Sequence, residues 1–299
     1  MTVRQPRVIT LLTDFGNQDA YVGIMKGVIA GINPFANIVD ICHNVPPQDI
    51  FSSAYLLYTS YKYFPKKTIH VAVVDPGVGS RRNIICVETK NYFFLAPDNG
   101  ILSFIVQEER LKSIIRVTNS KYFLPSLSST FHGRDVFAPV AAHLSLGVRS
   151  QKMGIKINQL KQLDMPKPVH KKTGQVEGQI IYIDRFGNLI TNIKKEYLVK
   201  WVGGQKSEVG MQKSADRINQ RKTTLKELFS LCNTIETVIG KKKIMGLSKT
   251  YTDVKPGEPL VLIGSAGFLE VSINQGNAQR YFKADKGSKI IVEIGQSPF

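Results

Sequence analysis

Cysteine is scarce: the 299 residues hold three, Cys42, Cys86 and Cys232. They are odd in number and far apart, with no Cys-x-x-Cys pair, so neither a zinc site nor a redox dithiol is indicated and they read as buried thiols. No histidine or cysteine partners stand at metal-ligand spacing. Long apolar runs are missing too. Nothing approaches the roughly 20 residues of a membrane-spanning helix. The opening Met1-Thr-Val-Arg-Gln-Pro-Arg7 leads into a short apolar segment with no cleavage pattern, which reads as a cytoplasmic, soluble chain without a membrane partner. There is no internal repeat and no low-complexity tract.

Acidic residues are outnumbered, 23 Asp+Glu against 40 Lys+Arg, a net charge of +17. A basic balance is the electrostatic footprint of nucleic-acid or anionic-membrane binding. Its distribution argues otherwise. Residues 1–150 hold 15 Lys+Arg and 10 Asp+Glu, and the remainder 25 and 13. The excess sits in Lys152–Lys172, Arg217–Lys226 and Lys241–Lys243, stretches that read as loops or exposed helix, where charge runs are usually solvated faces. Aromatics are not interleaved with these lysines, so no stacking platform for single strands is expected and nucleic acid is not an expected partner.

What is present is a 42% hydrophobic chain long enough to bury a substantial core. The first half alternates strand-like and amphipathic runs: strands at Arg7–Leu12, Asn37–Cys42 and Thr68–Val74, helices at Asp19–Ile32 and Asp49–Tyr63. Further strands are expected at Asn83–Glu88 and Tyr92–Ala96, and a helix at Asp135–Leu146. This is the pattern of a layered α/β domain with a central, mostly parallel sheet. After Gly147 the composition turns to Lys, Gln and Pro, and Met165–Lys172 reads as a linker. Beyond it the β-branched runs Gly178–Ile183, Leu260–Ile263, Phe268–Ile273 and Lys289–Ile294 predict a smaller all-β domain. The expected division is residues 1–165 and 166–299, with a basic insertion near 203–234.

Four loops could carry chemistry, most of them just after a strand, where open α/β sheets place ligands. Thr13-Asp14-Phe15-Gly16 offers a carboxylate able to accept two hydrogen bonds from a ribose diol, or merely to cap a helix. In Val73-Val-Asp75-Pro-Gly-Val-Gly79-Ser-Arg-Arg82 two glycines let the backbone turn so that Arg82 can fold back on Asp75; the bland reading is an ion pair pinning a loop. The phosphate-binding patterns Gly-x-Gly-x-x-Gly and Gly-x-x-x-x-Gly-Lys are absent from it. Thr130-Phe-His132-Gly-Arg134-Asp135 puts a histidine at a loop-to-helix junction, whereas His43, His70 and His143 sit in or beside apolar elements and His170 among lysines. Ile183-Asp184-Arg185-Phe186-Gly187-Asn188 supplies a carboxylate for a cation, an aromatic face for a base and an amide able to read an adenine edge, or is simply a hairpin turn.

These loops, with Ala96-Pro-Asp-Asn-Gly100 and Gly264-Ser-Ala-Gly-Phe-Leu-Glu270, occur in register along nearly the whole chain. Together they resemble the family that contains the S-adenosyl-L-methionine hydrolases, fluorinase and chlorinase. The resemblance implies an N-terminal α/β domain with a small C-terminal β-barrel-like domain, assembled as a homotrimer with sites between neighbouring subunits. It assigns ribose to Asp14, adenine to Phe186 and Asn188, the methionine ammonium to Asp184 and its carboxylate to Ser265, with Tyr251, Glu270 and Ile273 on the same side. Ala266 departs from the polar residue that many relatives carry beside the serine. Halide-using members resemble one another in a Tyr at the position of Asp75 and lack the histidine of position 132. Asp75, Arg82, His132 and Gly133 therefore imply water as the nucleophile, and no metal or organic cofactor. The implied reaction is hydrolysis of S-adenosyl-L-methionine to adenosine and L-methionine; the alternatives are a halogenase and a non-catalytic binder of the same nucleoside.

Overall fold

The computed structural model describes residues 7–171, 173–208 and 234–294, so most of the expected basic insertion lies outside the described residues. The chain divides into two compact units, Met1–Met165 and Pro166–Phe299.

The first unit runs β1 (Val8–Thr13), α1 (Tyr21–Ile32), β2 (Asn37–Cys42), α2 (Ile50–Ser60), β3 (Ile69–Val73), β4 (Ile84–Thr89), β5 (Phe93–Pro97), α3 (Ser103–Glu108), β6 (Leu111–Val117), α4 (Ala138–Ser145) and β7 (Gly154–Ile157). Its sheet has the order β2-β1-β3-β5-β4-β6-β7. The β2-β1-β3-β5 half is parallel, as expected, and the β5-β4-β6-β7 half is antiparallel. β1 is covered on both faces, which is why Ile9, Leu11 and Leu12 are fully buried along with Thr10 and Thr13. One face packs on α1 through Met25 and Ile29, spaced four residues apart on one side of the helix, and on α4. The other face carries His70 inside a nest of Tyr61, Phe64, Tyr92 and Phe94 rings. Burial drives His70 down to about 3, so it stays neutral and structural, bonded to Thr10 Oγ1 at 2.8 Å. Asp49 caps α2, accepting from the Ser52 amide at 3.0 Å, and the helix gives way to a tight turn at Tyr61–Tyr63.

The second unit contains β8 (Val169–His170), β9 (Val176–Ile183), β10 (Leu189–Lys194), α5 (Lys195–Glu208), β11 (Ile235–Ile239), β12 (Lys242–Met245), β13 (Pro259–Ile263), β14 (Phe268–Ile273), α6 (Ala278–Phe282) and β15 (Lys289–Ile294). The ladder β12-β11-β15-β9-β10-β14-β13 is antiparallel throughout. A bridge between Ser248, just after β12, and Leu262 of β13 nearly closes it into a barrel. Closure leaves few free edges and surrounds one core that includes Ile180, Leu189, Trp201, Val261 and Val292. Among the described residues no helix is long and apolar enough to cross a membrane.

Candidate active site

β1 lies between β2 and β3, so the chain leaves β1 in one direction across the sheet and leaves β3 in the other. Loops that diverge in this way open a crevice at the carboxyl ends of the two strands. A cleft of about 420 Å³ occupies that place. Asp14, Phe15 and Tyr21 line it from the exit of β1, and Pro47 and Gln48 from the loop after β2. Val73, Asp75, Pro76 and Val78 come from the exit of β3, and Thr130, Phe131, His132 and Gly133 from the segment before α4.

The Asp75–Arg82 segment folds as two successive turns, Val78 N–H to Asp75 O at 3.1 Å and Ser80 N–H to Gly77 O at 3.1 Å. They bring the guanidinium back onto the carboxylate. Arg82 Nε donates to both Asp75 oxygens, at 2.9 and 2.8 Å, and Nη2 donates to Oδ2 as well. Both side chains are almost wholly buried, 7% and 6% exposed. Gly79 is required at the bend: φ is +77° and a Cβ there would stand 2.5 Å from the Ser129 carbonyl oxygen. Gly79→Ala is expected to destabilise the fold by at least about 1 kcal/mol from the left-handed backbone alone, and to slow turnover, because Ser129 leads directly into the Thr130–Gly133 wall. Urea unfolding and initial rates of the variant check both effects. Behind the loop, Asn99 Nδ2 donates to Val74 O at 2.9 Å, so the Ala-Pro-Asp-Asn-Gly motif buttresses the residue preceding Asp75.

The same Arg82 Nη2 also meets His132 Nδ1 at 2.9 Å. A guanidinium only donates, so Nδ1 accepts and the neutral ring carries its proton on Nε2, free to donate to a ligand. His132 introduces a five-residue π-helical turn, Gly133–Phe137, closed by Ala138 N–H to Gly133 O, a wide geometry that recurs at functional sites. Asp135, fully buried, anchors the turn: Arg134 Nε donates at 2.6 Å and the Ser128 amide at 2.7 Å. Burial opposes its charge, but these donors outweigh it and hold the carboxyl below the usual range.

Burial, and next the Arg82 charge, push His132 below the usual histidine value, against a smaller upward pull from Asp75 and Asp135. Between its folded value and the unfolded value near 6.5 the unfolded chain binds more protons. The contribution to stability is therefore complete above about pH 6.5 and lost as pH falls below it. Activity should likewise hold through neutral pH and fail on an acid limb below 6.5, where an imidazolium would face the guanidinium donor to donor. A kcat/KM profile checks this, and His132→Asn should remove the limb.

Asp14 is partly exposed in the cleft and accepts from the Gln48 amide at 2.8 Å, a donor aimed by the left-handed backbone of Gln48, φ 64°. It does not cap α1, whose N-terminus has no side-chain cap. Arg82, by contrast, is absent from the cleft wall: it grips Asp75 and His132 from behind and does not face the cleft directly.

The remaining expected residues lie on the second unit. Asp184 is engaged within its own hairpin, accepting from the Phe186 and Asn188 amides at 2.9 Å and from Asn188 Nδ2 at 2.8 Å. Phe186 projects from the tip, 74% exposed. Tyr251 donates to Glu270 Oε1 at 2.7 Å, as does the Ser272 hydroxyl at 2.9 Å. Burial first, then Glu270 and the nearby charge of Asp184, raise the Tyr251 phenol. Glu270 abuts Gly264, beside the exposed Ser265, and Ile273 belongs to the barrel core. Among the described residues no three His, Cys, Asp or Glu side chains are grouped to hold a metal ion.

Sequence reading overlooked an aromatic group. Phe15, Tyr21 and Phe131 contact one another at 5.0–5.9 Å between ring centres and share the cleft wall. A Cβ on Gly133 would stand 3.1 Å from Phe131 and 3.2 Å from Met25 Sδ, so the glycine lets the rings close beneath it. Phe15 and Phe131 lie inside the motifs themselves, but nothing local signals their contact across more than a hundred residues.

Comparison with known proteins agrees with this layout. The models for the SAM hydroxide adenosyltransferase N-terminal and C-terminal domains match residues 9–154 and 178–291. A protein of Methanocaldococcus jannaschii named (R)-S-adenosyl-L-methionine hydrolase is 35% identical over 285 residues, covering 93% of this chain and 92% of the relative. The crystal structure of an uncharacterized conserved protein from Thermotoga maritima superimposes with a TM-score of 0.81 at 35% identity, over 95% of this chain and 99% of the other. A fluorinase of an Actinoplanes species is more distant, at 25% identity over 89% of this chain and 91% of its own length. With a domain model matched on each unit and a relative this similar over nearly its whole length, the chain belongs to the SAM hydroxide adenosyltransferase family.

Proposed function

We propose that the protein hydrolyses S-adenosyl-L-methionine to adenosine and L-methionine. The observation that carries the reading is the shared Arg82 Nη2: one buried nitrogen holds Asp75 and His132 together on the wall of the cleft that also contains Asp14. Asp14 binds the ribose diol through the oxygen not occupied by Gln48, which directs C5′ toward Asp75 and His132. That carbon needs no acid, because the sulfonium departs as a neutral thioether. The difficulty is the nucleophile, since bulk water has a pKa near 15.7.

Asp75 and His132 Nε2–H supply an acceptor and a donor for one water and orient it opposite the C–S bond. The water oxygen bonds to C5′, the C–S electron pair returns to sulfur, and the released proton passes to Asp75 and on to solvent. Arg82 N–H groups already occupy much of the carboxylate, so proton transfer accompanies or follows C–O bond formation. The guanidinium acts as a positioning group rather than a direct partner of the oxygen.

The second-unit set, Asp184, Phe186, Asn188, Tyr251, Ser265, Glu270 and Ile273, serves adenine and the methionine end in a cytoplasmic homotrimer, the neighbouring subunit completing each site. Light scattering on the eluting protein tests the trimer. Incubation in ¹⁸O-water with both sulfonium epimers, since the relatives' names specify (R), tests the chemistry. Adenosine, methionine and ¹⁸O at the 5′ oxygen are expected. A 5′-halo-adenosine in chloride or fluoride would mark a halogenase instead, and binding without turnover a sensor.

A further inference from the structure

The loop after β2 clamps the loop after β1 at three points. Gly16 N–H donates to His43 O at 2.8 Å, the Gln48 amide donates to Asp14 Oδ2 at 2.8 Å, and Thr13 Oγ1 meets His43 Nδ1 at 2.8 Å. The third contact belongs to a longer chain. His43 Nε2 stands 3.1 Å from Asp40 Oδ1, and Asp40 Oδ2 in turn takes Lys26 Nζ at 2.6 Å. Thr13 is fully buried, His43 is 5% exposed, and neither lines the cleft. Nε2 faces Asp40 without making a hydrogen bond to it, so the ring is held at Nδ1 by the Thr13 hydroxyl, whose oxygen also accepts from the Phe15 amide, at 3.2 Å. The imidazole thereby sets the direction of the backbone on both sides of Asp14.

We propose that His43 is a positioning residue for nucleoside binding: through Thr13 it holds the Asp14 carboxylate at the angle that receives the ribose diol. The inference rests on the proposed ribose contact of Asp14. Asp40 and Lys26 lie on the far side of the ring, and the contact that matters is Nδ1 to Thr13. Two isopolar variants separate these roles. His43→Asn places a polar atom near Nδ1 and keeps the link to Thr13, whereas His43→Gln reaches the Nε2 position, keeping Asp40 and losing Thr13.

The probe is adenosine, titrated calorimetrically into the full chain alongside 2′,3′-dideoxyadenosine, which lacks the diol. His43→Gln is expected to weaken adenosine by about tenfold, the scale of one hydrogen bond, and to leave the dideoxy compound within about twofold. His43→Asn should retain near-native affinity for both. If the protein turns over S-adenosyl-L-methionine, KM should rise in His43→Gln with kcat little changed. Equal weakening of both nucleosides, or adenosine unaffected in His43→Gln, overturns the proposal. Should His43→Gln not fold, Thr13→Val carries the same comparison with the same two outcomes. Wild-type protein that prefers adenosine to the dideoxy compound but forms no products would refute the hydrolase reading and leave this one standing.

Discussion

Asp75→Asn should slow adenosine formation by about 10²–10⁴-fold, the range of a positioned proton acceptor, while adenosine affinity stays within about threefold. The substitution keeps the shape and one acceptor oxygen, so the water can still be held. What it removes is the charge that receives the proton and opposes Arg82. Because Asp14 sits at the exit of another strand, the nucleoside berth is untouched, and the loss should fall on kcat rather than KM. Single-turnover chromatography of the products measures the effect. A kcat within about threefold of wild type would remove Asp75 from the chemistry, since even a modest general-base contribution exceeds that.

Arg82→Met should be the most damaging single change to stability, about 3–5 kcal/mol, because it strands the Asp75 carboxylate in a site where the pair is only 6–7% exposed. The charge would have no counter-ion and His132 Nδ1 no donor. Activity should fall with it, since both residues facing the water lose their common anchor. The double variant Asp75→Asn/Arg82→Met is the sharper test. Removing both charges relieves the penalty that each single change creates, so its loss of stability should be well below the sum of the two. Urea unfolding of the full chain supplies the cycle, and strictly additive losses would show that the pair is not coupled as its geometry indicates.

Much of the first unit is legible because it is locally consistent. The apolar runs that predict β1, β2 and β3 fall within a residue or two of the observed strands, and Pro34 and Pro65 stand where elements stop. Asp49 reads as the start of a helix and is its cap. What local pattern does not carry is pairing. β4 and β5 read like their neighbours, yet β4 runs antiparallel, a property of the connection rather than of the residues. The short α3, the strand β6 with Lys112 and Arg116 among its apolar residues, and the π-helical turn that overlaps the start of the expected Asp135–Leu146 helix also escape periodicity. The same holds for the site. Asp75 and Arg82 are seven residues apart, and the two glycines between them foretell their contact. His132 reaches Arg82 across fifty residues, and the aromatic group and the His43 clamp depend on contacts between separate loops. The reading of Asp184 to Asn188 as a hairpin, one of two alternatives open to sequence, describes what its backbone does.

The divergence of the chain at β1 and β3 has an engineering consequence. Asp14 follows β1 and Asp75 follows β3, so the group proposed to grip the sugar and the one proposed to hold the attacking water are supported by different connections. The Asp75 connection can therefore be rewritten without touching the loop that carries Asp14, whereas Gly133 is tied to both, because a side chain there would press on Phe131, Met25 and Phe15. A scaffold of this kind lends itself to exchanging one small nucleophile for another.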